Sequence, residues 1–287
     1  MFSLAILGGG RAAWAYGSSW RRIGWPIDGV WLREESQSKL PELLGAPRKK
    51  LDELRADLVL IAVSDRAINE IAALFGAPAP SPAPGHANAG EGAGAPNSPV
   101  TSHASPGHAN AGEGAGATQK PILFHASGVL PAVGGGFSLH PLRALPPVGA
   151  ASDLRDALLV FEGQHVEIAK TIAAAVGGRF AEIAAADKPR YHAAAVFGSN
   201  YVAAMLDIAE RFIGIENVRD DLAALARSAI ENWRAHTDAR RFTGPAARGD
   251  AAVLEQHVAA LAGDAQVSEI YELLAAEIAR SILASQK

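Results

Sequence analysis

The chain has 287 residues, of which 49% are apolar and 20% are charged, a composition typical of a globular protein with one large domain or two ordinary ones. A formal net charge of -4 gives no electrostatic reason to expect nucleic acid or an anionic membrane as a partner. The sequence contains no cysteine, which excludes disulfides, zinc–thiolate sites, iron–sulfur clusters and a thiol nucleophile. We predict no metal site.

The first residues lack the basic start and long apolar core of a signal peptide. No stretch reaches the roughly 18 uninterrupted apolar residues of a membrane span. We therefore expect a soluble, cytoplasmic protein.

Strand and helix patterns alternate over the first 75 residues. The predicted strands are Leu4–Leu7, Gly29–Leu32 and Asp57–Val63, and the predicted helices are Arg11–Arg22, Leu40–Leu44 and Ala67–Phe75. Short apolar runs that alternate with helices are typical of βαβ units around a parallel sheet.

Residues 77–119 interrupt this pattern with Ala, Gly, Pro, Ser, Asn and His. Within them, Gly85–Ala95 recurs without change as Gly107–Ala117. Small residues of this kind cannot bury enough area to offset their chain entropy. We predict a disordered, low-complexity insertion at the surface.

The sheet pattern resumes after the insertion and ends near Asp187. Four further strands and one helix are predicted here, at residues 121–128, 136–139, 157–161 and 179–183 and at Val166–Ala175. From residue 187 onward the pattern is helical, with predicted helices Tyr191–Ile213, Asp220–Trp233, Ala251–Ala262 and Ser268–Ala284. The first of these is apolar nearly all round in its first half, which predicts a buried central helix. We predict a doubly wound, mostly parallel sheet over 1–186 and an all-helical domain over 187–287.

Gly8-Gly9-Gly10-Arg11-Ala12-Ala13 fits the G-x-G-x-x-(G/A) fingerprint of dinucleotide-binding Rossmann domains. Gly8 permits a tight turn, Gly10 lets the backbone approach a pyrophosphate, and Ala13 permits close packing of the helix on the strand. The exposed N–H groups at the start of the helix then bind the anion. The alternative is a glycine turn in an α/β protein that binds something else, such as a methyl donor.

The end of the second strand distinguishes NADP from NAD. NAD enzymes usually place an acidic residue there, whereas here Arg33 follows the strand and can pair with a 2′-phosphate. Glu34 and Glu35 keep NAD open as the alternative, and Arg33 is equally compatible with a solvated surface charge. The predicted cofactor is NADP, and the predicted cofactor-binding residues are Gly8, Gly10, Arg11, Ala13, Arg33, Val63 and Ser64.

Polar residues also end the later strands, at the edge where open parallel sheets bind ligands. They are Ser64, Asp65, His125, Ser127 and His140. Each of them is equally typical of a helix cap or a turn hydrogen bond. His140 is the strongest functional candidate because an imidazole titrates near neutral pH and can donate a proton.

Two further polar groups interrupt the helical region. His192, Ser199 and Asn200 share one side of the predicted helix Tyr191–Ile213, where they either satisfy one another or line a cleft. The Arg240–Asp250 loop, with Arg248, suits recognition of a carboxylate or of another subunit, or is a plain connection in which Asp250 is an N-cap.

Five motifs together resemble a known family. They are Gly8-x-Gly10, Phe124–Gly128, Ser138–Pro141, Tyr191–Tyr201 and Thr243–Asp250. The chain resembles bacterial Rossmann-like oxidoreductases that carry a C-terminal domain of unknown function 2520. These are similar in fold to 6-phosphogluconate dehydrogenase, ketopantoate reductase and pyrroline-5-carboxylate reductase.

The resemblance implies an NAD(P)-dependent oxidoreductase that acts on a small carbonyl or imine, such as the 2-oxo acid ketopantoate, and that forms a homodimer through the helical domain. Asn200 matches an Asn that orients the substrate oxygen in the wider superfamily. No lysine follows Lys188 on that helix, so we expect the superfamily's catalytic lysine to be absent and His140 or His192 to supply the proton. Ser127, Ser199 and Arg248 are the predicted substrate-binding residues. A non-catalytic dinucleotide sensor is the alternative, and a scaffold that has lost its cofactor is a third reading.

Overall fold

The computed structural model describes residues 1–76 and 120–285, so the predicted insertion at 77–119 lies outside the described residues. The chain divides into two compact units, Met1–Ala195 and Val196–Lys287. Strands give way to helices near Asp187, whereas the units divide nine residues later, because the first turns of the helix that begins at Lys188 contact the sheet. None of the helices described is long and apolar enough to span a membrane.

A seven-stranded sheet forms the first unit, in the order β2-β1-β3-β4-β5-β6-β7. The strands are β1 (Leu4–Leu7), β2 (Ile27–Trp31), β3 (Leu58–Ile61), β4 (Ile122–His125), β5 (Phe137–Leu142), β6 (Leu158–Gly163) and β7 (Arg179–Glu182). Neighbouring strands are parallel except β5 and β6, which are antiparallel. The predicted doubly wound, mostly parallel sheet is confirmed.

Helices cover both faces of this sheet. They are α1 (Arg11–Arg22), α2 (Leu40–Leu44), α3 (Asp65–Ala73) and α4 (Val166–Val176). Every residue of β1 and β3 is buried, because a parallel strand covered on both faces has no solvated side. Alternate residues of β1 therefore enter different cores: Leu4 and Ile6 pack with α1, while Ala5 and Leu7 pack with α3. The sheet winds outward in both directions from β1 and β3, which leaves the Rossmann crevice at their carboxyl ends.

Six more helices follow the sheet. They are α5 (Lys188–Phe197), α6 (Asn200–Phe212), α7 (Arg219–Ala235), α8 (Pro245–Arg248), α9 (Ala251–Leu261) and α10 (Ala265–Ala284). Asp250 and Asp264 cap α9 and α10 by accepting hydrogen bonds from Val253 N and Val267 N, as expected of carboxylates at helix N-caps. All-helical structure after the sheet is confirmed.

The prediction of one buried helix over Tyr191–Ile213 is wrong in two respects. The helix is interrupted at Gly198 and Ser199, and Ser199 (φ -136°, ψ -80°) occupies the N-cap position of α6. A glycine followed by a serine is typical of a helix end and a new N-cap. Among the described side chains, α5 buries only Lys188 and α6 buries none. His192 and Ser199 therefore do not share the face of a single helix.

Candidate active site

The glycine turn between β1 and α1 can be built only with glycine at its first position. Gly8 has a φ of +112°, and a Cβ placed there would lie 2.4 Å from the carbonyl oxygen of Ala62. Backbone occupies that space, so no rotamer change relieves the clash. The Gly8 amide also donates to the carbonyl of Trp31 (2.9 Å), which ties β1 to the end of β2.

Gly10 differs from Gly8 because the space around it is open. A Cβ at Gly10 would meet no atom within 4 Å, and Gly10 is the N-cap of α1 with no side chain capping the helix. The first N–H groups of a helix attract an anion when no side chain satisfies them. The turn therefore offers open space and hydrogen-bond donors where a diphosphate would lie, so the residues present fit a dinucleotide.

A cleft of about 460 Å³ extends from this turn across the ends of β1, β2 and β3. Its walls include six of the seven predicted cofactor-binding residues, namely Gly8, Gly10, Arg11, Arg33, Val63 and Ser64. The seventh, Ala13, lies fully buried in the core beneath the turn, where a small side chain lets α1 approach the sheet. Ser64 also occupies the N-cap position of α3, without a side-chain hydrogen bond.

A second guanidinium lies close to Arg33. Arg48 Nη2 donates to the carbonyl oxygen of Arg33 (3.0 Å), because a β-bridge pairs Arg48 with Val30 of β2. The two arginines are 15 positions apart, so the sequence does not show that they are close. Glu35 lines the same cleft, so the charge there is mixed.

His125, at the end of β4, is a structural residue. It is fully buried, its Nε2 lies 3.0 Å from the carbonyl oxygen of Pro131, and its Nδ1 accepts from the amide of Ser127 (3.2 Å). Burial lowers the pKa of His125 to about 4, so the ring is neutral and donates from Nε2. These two hydrogen bonds hold the turn that follows β4.

Ser127 belongs to the same turn. Its hydroxyl oxygen accepts from the amides of Val129 (3.3 Å) and Leu130 (3.1 Å). Both bonds use the oxygen as acceptor, which leaves the hydroxyl hydrogen to donate. The predicted turn hydrogen bond is present, and the predicted substrate contact is chemically compatible with it.

His140 lies beyond the end of β4, because β5 pairs with β4 only through Phe137 and Ser138. Its ring contacts Tyr191 and His192 of α5 edge-on, with centroids 5.5 Å and 5.8 Å away. His140 Nδ1 and the Tyr191 hydroxyl are 2.6 Å apart. We call His140, Tyr191 and His192 the aromatic cluster.

Gly128 makes room for this cluster. A Cβ at Gly128 would lie 2.4 Å from Cδ2 of His192 and 3.1 Å from Nε2 of His140. The Gly128 of the Phe124–Gly128 motif thus lets both rings approach the turn after β4.

Burial, together with the charges of His192 and Lys188, lowers the pKa of His140 to about 4. His140 is therefore a neutral imidazole at pH 7. With so low a pKa the ring is a weak base, and it can donate its single N–H proton only if another group replaces that proton.

Lys188 is a functional candidate that the sequence reasoning set aside. Its side chain is 1% exposed, and its Nζ donates to Ser138 Oγ (2.5 Å) and to the carbonyl oxygen of Ser127 (3.3 Å). Glu162 Oε2 lies 3.9 Å from Nζ and accepts from the amide of Ala132 (2.7 Å). Desolvation lowers the pKa of Lys188 to about 8, against the opposing effects of Glu162 and Asp65. This buried group supports the turn on which Ser127 and Gly128 lie.

The remaining predicted site residues belong to the second unit. Asn200 is exposed and is the first residue of α6, and Ser199 precedes it as N-cap. Arg248 is the exposed last residue of α8. Its guanidinium forms no salt bridge with another residue in the described part of the chain.

Residues 159–278 match the family Domain of unknown function (DUF2520). The predicted domain of unknown function 2520 is confirmed over these residues. No curated protein matches the chain.

Solved structures share this fold over almost the whole chain. The protein BF3122 of Bacteroides fragilis, provisionally described as an NADP oxidoreductase, is 20% identical, with 97% of this chain and 98% of that chain covered and a TM-score of 0.71. TM1727 of Thermotoga maritima is 19% identical, with 99% and 100% covered and a TM-score of 0.67. A reductive aminase from Aspergillus terreus, in complex with NADPH and ethyl-5-oxohexanoate, is 14% identical, with 98% and 94% covered and a TM-score of 0.56. At these identities the likeness establishes the fold, which is the Rossmann-like fold inferred from the sheet.

Proposed function

We propose that this protein is an NADP-dependent reductase of a small carbonyl or imine, for example a 2-oxo acid such as ketopantoate. The observation that carries the proposal is the open space at Gly10, at the uncapped start of α1. The aromatic cluster supports it, because His140 lies just past the carboxyl end of β4 in the same sheet. A cofactor cleft and an acid–base group at one sheet edge are what hydride transfer requires.

The first unit supplies the residues that would hold the cofactor. The turn at Gly8–Gly10 and the α1 N-terminus would bind the diphosphate, and Arg33 would pair with a 2′-phosphate. When bound, a reduced nicotinamide supplies the hydride. NAD is the alternative cofactor, because Glu35 shares the cleft with Arg33.

The substrate would lie against Ser127 and the aromatic cluster. Ser127 can donate from its hydroxyl to a substrate oxygen, and His140 can hold or pass on a proton. Asn200 and Arg248, which belong to the second unit, stay predicted substrate contacts: an asparagine amide can orient a substrate oxygen, and an arginine can bind a carboxylate as a charged fork. Their exposure is compatible with these roles.

A reductase screen tests the proposal. NADPH and NADH are each incubated with pyruvate, ketopantoate and 1-pyrroline-5-carboxylate, and absorbance at the nicotinamide band is followed. We expect NADPH oxidation with at least one compound, and loss of turnover with retained NADPH binding in His140→Ala and in Asn200→Ala. Saturable NADPH binding without turnover of any compound favours the dinucleotide sensor instead.

We also propose that the helical unit forms a homodimer. Among its described residues, only Val218, Leu222 and Val267 are buried apolar side chains. An independent domain of five helices normally buries more apolar side chains than this in its own core. Two apolar grooves, of about 570 Å³ and 350 Å³, run along α10. A second copy supplies apolar helices of the same kind, as in most soluble homo-oligomers.

Light scattering at several protein concentrations tests the dimer. Leu274 lines the smaller groove at 46% exposure, whereas Leu74 follows α3 in the first unit at 62% exposure. We expect Leu274→Glu to shift the mass toward the monomer and Leu74→Glu to leave the dimer intact. A monomeric wild-type protein at all concentrations, or equal effects of the two variants, would contradict the proposal.

A further inference from the structure

The hydroxyl of Tyr191 is hydrogen-bonded to His140, the histidine that handles a proton in the proposed reaction. The hydroxyl oxygen lies 2.6 Å from Nδ1 of His140, although the two residues are 51 positions apart. Tyr191 is held by α5 and His140 by β5, so both donor and acceptor are on regular secondary structure. A short contact between groups on rigid elements indicates a fixed hydrogen bond.

The charges around the pair favour two neutral groups. Burial, with the charges of His192 and Lys188 of α5, lowers the pKa of His140 to about 4, while burial raises the pKa of Tyr191 to about 12. Glu162 on β6 and Asp65 on α3 are the acidic groups that act on Lys188. At pH 7 the phenol therefore keeps its hydrogen and the imidazole carries only one.

The second ring nitrogen faces another direction. Nε2 of His140 has no hydrogen-bond partner among the residues that the structure describes, and it lies beside the backbone of Gly128, where a Cβ would be 3.1 Å away. If Tyr191 donates to Nδ1, the single hydrogen of the neutral ring must be on Nε2. Nε2 of His140 would then be a hydrogen-bond donor.

We propose that Tyr191 and His140 form a two-proton relay, in which both protons move in one step: Tyr191 is the proton source and His140 passes a proton to the substrate oxygen. This inference rests on the proposed reductase function. It differs from an imidazolium acid, because His140 never carries a positive charge.

The relay supplies the proton that reduction of a carbonyl requires in addition to a hydride. A reduced nicotinamide, when bound, would supply a hydride with its two electrons to the carbonyl carbon, and the carbonyl oxygen would become an alkoxide. The alkoxide takes the Nε2 proton of His140, and Nδ1 takes the hydroxyl proton of Tyr191. His140 ends as the other neutral tautomer beside a tyrosinate. The starting pair is restored when Nδ1 returns its proton to Tyr191 and Nε2 takes a proton from water, which leaves hydroxide. The sum is one hydride and one proton added to the C=O bond.

Nitrogen NMR of the cofactor-free protein tests the first half of the relay. With ¹⁵N-labelled histidine, the His140 signals are assigned by their loss in His140→Gln, and the bonded hydrogen is located from long-range couplings between pH 6 and 9. We expect a neutral ring with hydrogen on Nε2, and an Nδ1 signal that moves toward the value of a free acceptor in Tyr191→Phe. Hydrogen on Nδ1, or an Nδ1 signal unchanged by Tyr191→Phe, would overturn the relay.

The chain contains a matched control for this measurement. His257 Nδ1 and the Tyr271 hydroxyl are also 2.6 Å apart, with the rings edge-on. We expect Tyr271→Phe to move the His257 signal and to leave the His140 signal in place. The control shows that the method detects loss of a tyrosine–histidine hydrogen bond of the same length.

Steady-state kinetics test the second half of the relay, which is proton transfer to the substrate oxygen. With the compound that gives turnover in the reductase screen, we expect Tyr191→Phe to lower kcat by roughly 10²- to 10⁴-fold, the usual contribution of a general acid, with NADPH affinity unchanged. The wild-type rate should depend on the deuterium fraction of the solvent as a two-proton step does. Unchanged kcat in Tyr191→Phe would overturn the relay, whereas a wild-type protein that reduces nothing would overturn the proposed function and leave the NMR result standing.

Discussion

Lys188 gives the protein an unusual dependence of stability on pH. Its pKa is lowered from 10.5 to about 8 in the folded chain, chiefly by burial. Between these two values the unfolded chain binds a proton that the folded chain does not, so the stability contributed by Lys188 is present above pH 10.5 and is lost as the pH falls through 8. At about 1.4 kcal/mol per pKa unit, the stability of the wild-type protein should rise by about 3 kcal/mol across this window, relative to a variant without the amine.

The variant is Lys188→Met, which keeps the unbranched shape and removes the titrating group. Urea unfolding is followed by tryptophan fluorescence at pH values from 7.5 to 10.5, and the difference in free energy of unfolding between variant and wild type is plotted. Four of the five tryptophans are in the first unit, so a Trp233→Phe background makes the signal report that unit alone. Tyrosine titration affects both proteins and cancels in the difference.

Lys39→Met is the matched control, because Lys39 is exposed. We expect its stability to stay parallel to that of the wild type at all pH values. A Lys188→Met curve that is also parallel to the wild type would refute the claim that Lys188 is held as a destabilised ammonium in the core.

Three further predictions concern single residues. Gly8→Ala should lower the free energy of unfolding by about 2–4 kcal/mol in urea titrations, because it combines a φ of +112° with a Cβ 2.4 Å from the Ala62 carbonyl oxygen. A change below about 1 kcal/mol, roughly the noise of such measurements, would show that the turn relaxes. Arg33→Ser should weaken NADPH binding by roughly 10- to 100-fold, as loss of a charge-assisted pair does. When both cofactors are titrated by fluorescence, NADH affinity should stay within about twofold of the wild-type value. An equal loss of affinity for both cofactors would contradict a 2′-phosphate contact. Asp264→Ala should cost about 1 kcal/mol of stability because it removes the cap hydrogen bond to Val267 N, and an unchanged melting temperature would show that the cap is replaced.

Local patterns in the sequence were sufficient to predict the sheet and its glycine turn. The strand at Leu4–Leu7 and the roles of Gly8 and Gly10 depend on residues that are adjacent in the chain, and the structure has the turn geometry that the fingerprint predicts. The helix break at Gly198 was missed because apolar residues continue through it, and periodicity alone does not detect a two-residue interruption.

The buried support of the site could not be predicted in the same way. Lys188 contacts Ser138 and Glu162 only after the sheet has formed, across 50 and 26 residues of sequence. A lysine in the first turn of a helix is ordinarily solvated, so nothing nearby in the sequence marks this one as buried. The hydrogen bond between Tyr191 and His140 was hidden for the same reason, although both residues were within motifs of the resemblance.

The most direct test of the proposed cofactor cleft is to place a large side chain at Gly10 and to measure whether NADPH still binds. Because a Cβ at Gly10 meets only open space, Gly10→Leu should fold normally and place its side chain where the diphosphate would lie. Gly263→Leu is the control, since Gly263 is also surrounded by open space, in the turn before α10. By isothermal titration calorimetry we expect saturable NADPH binding in the wild type and in Gly263→Leu, and none in Gly10→Leu at an unchanged melting temperature. Equal NADPH affinity in Gly10→Leu and the wild type would contradict a dinucleotide site at this turn.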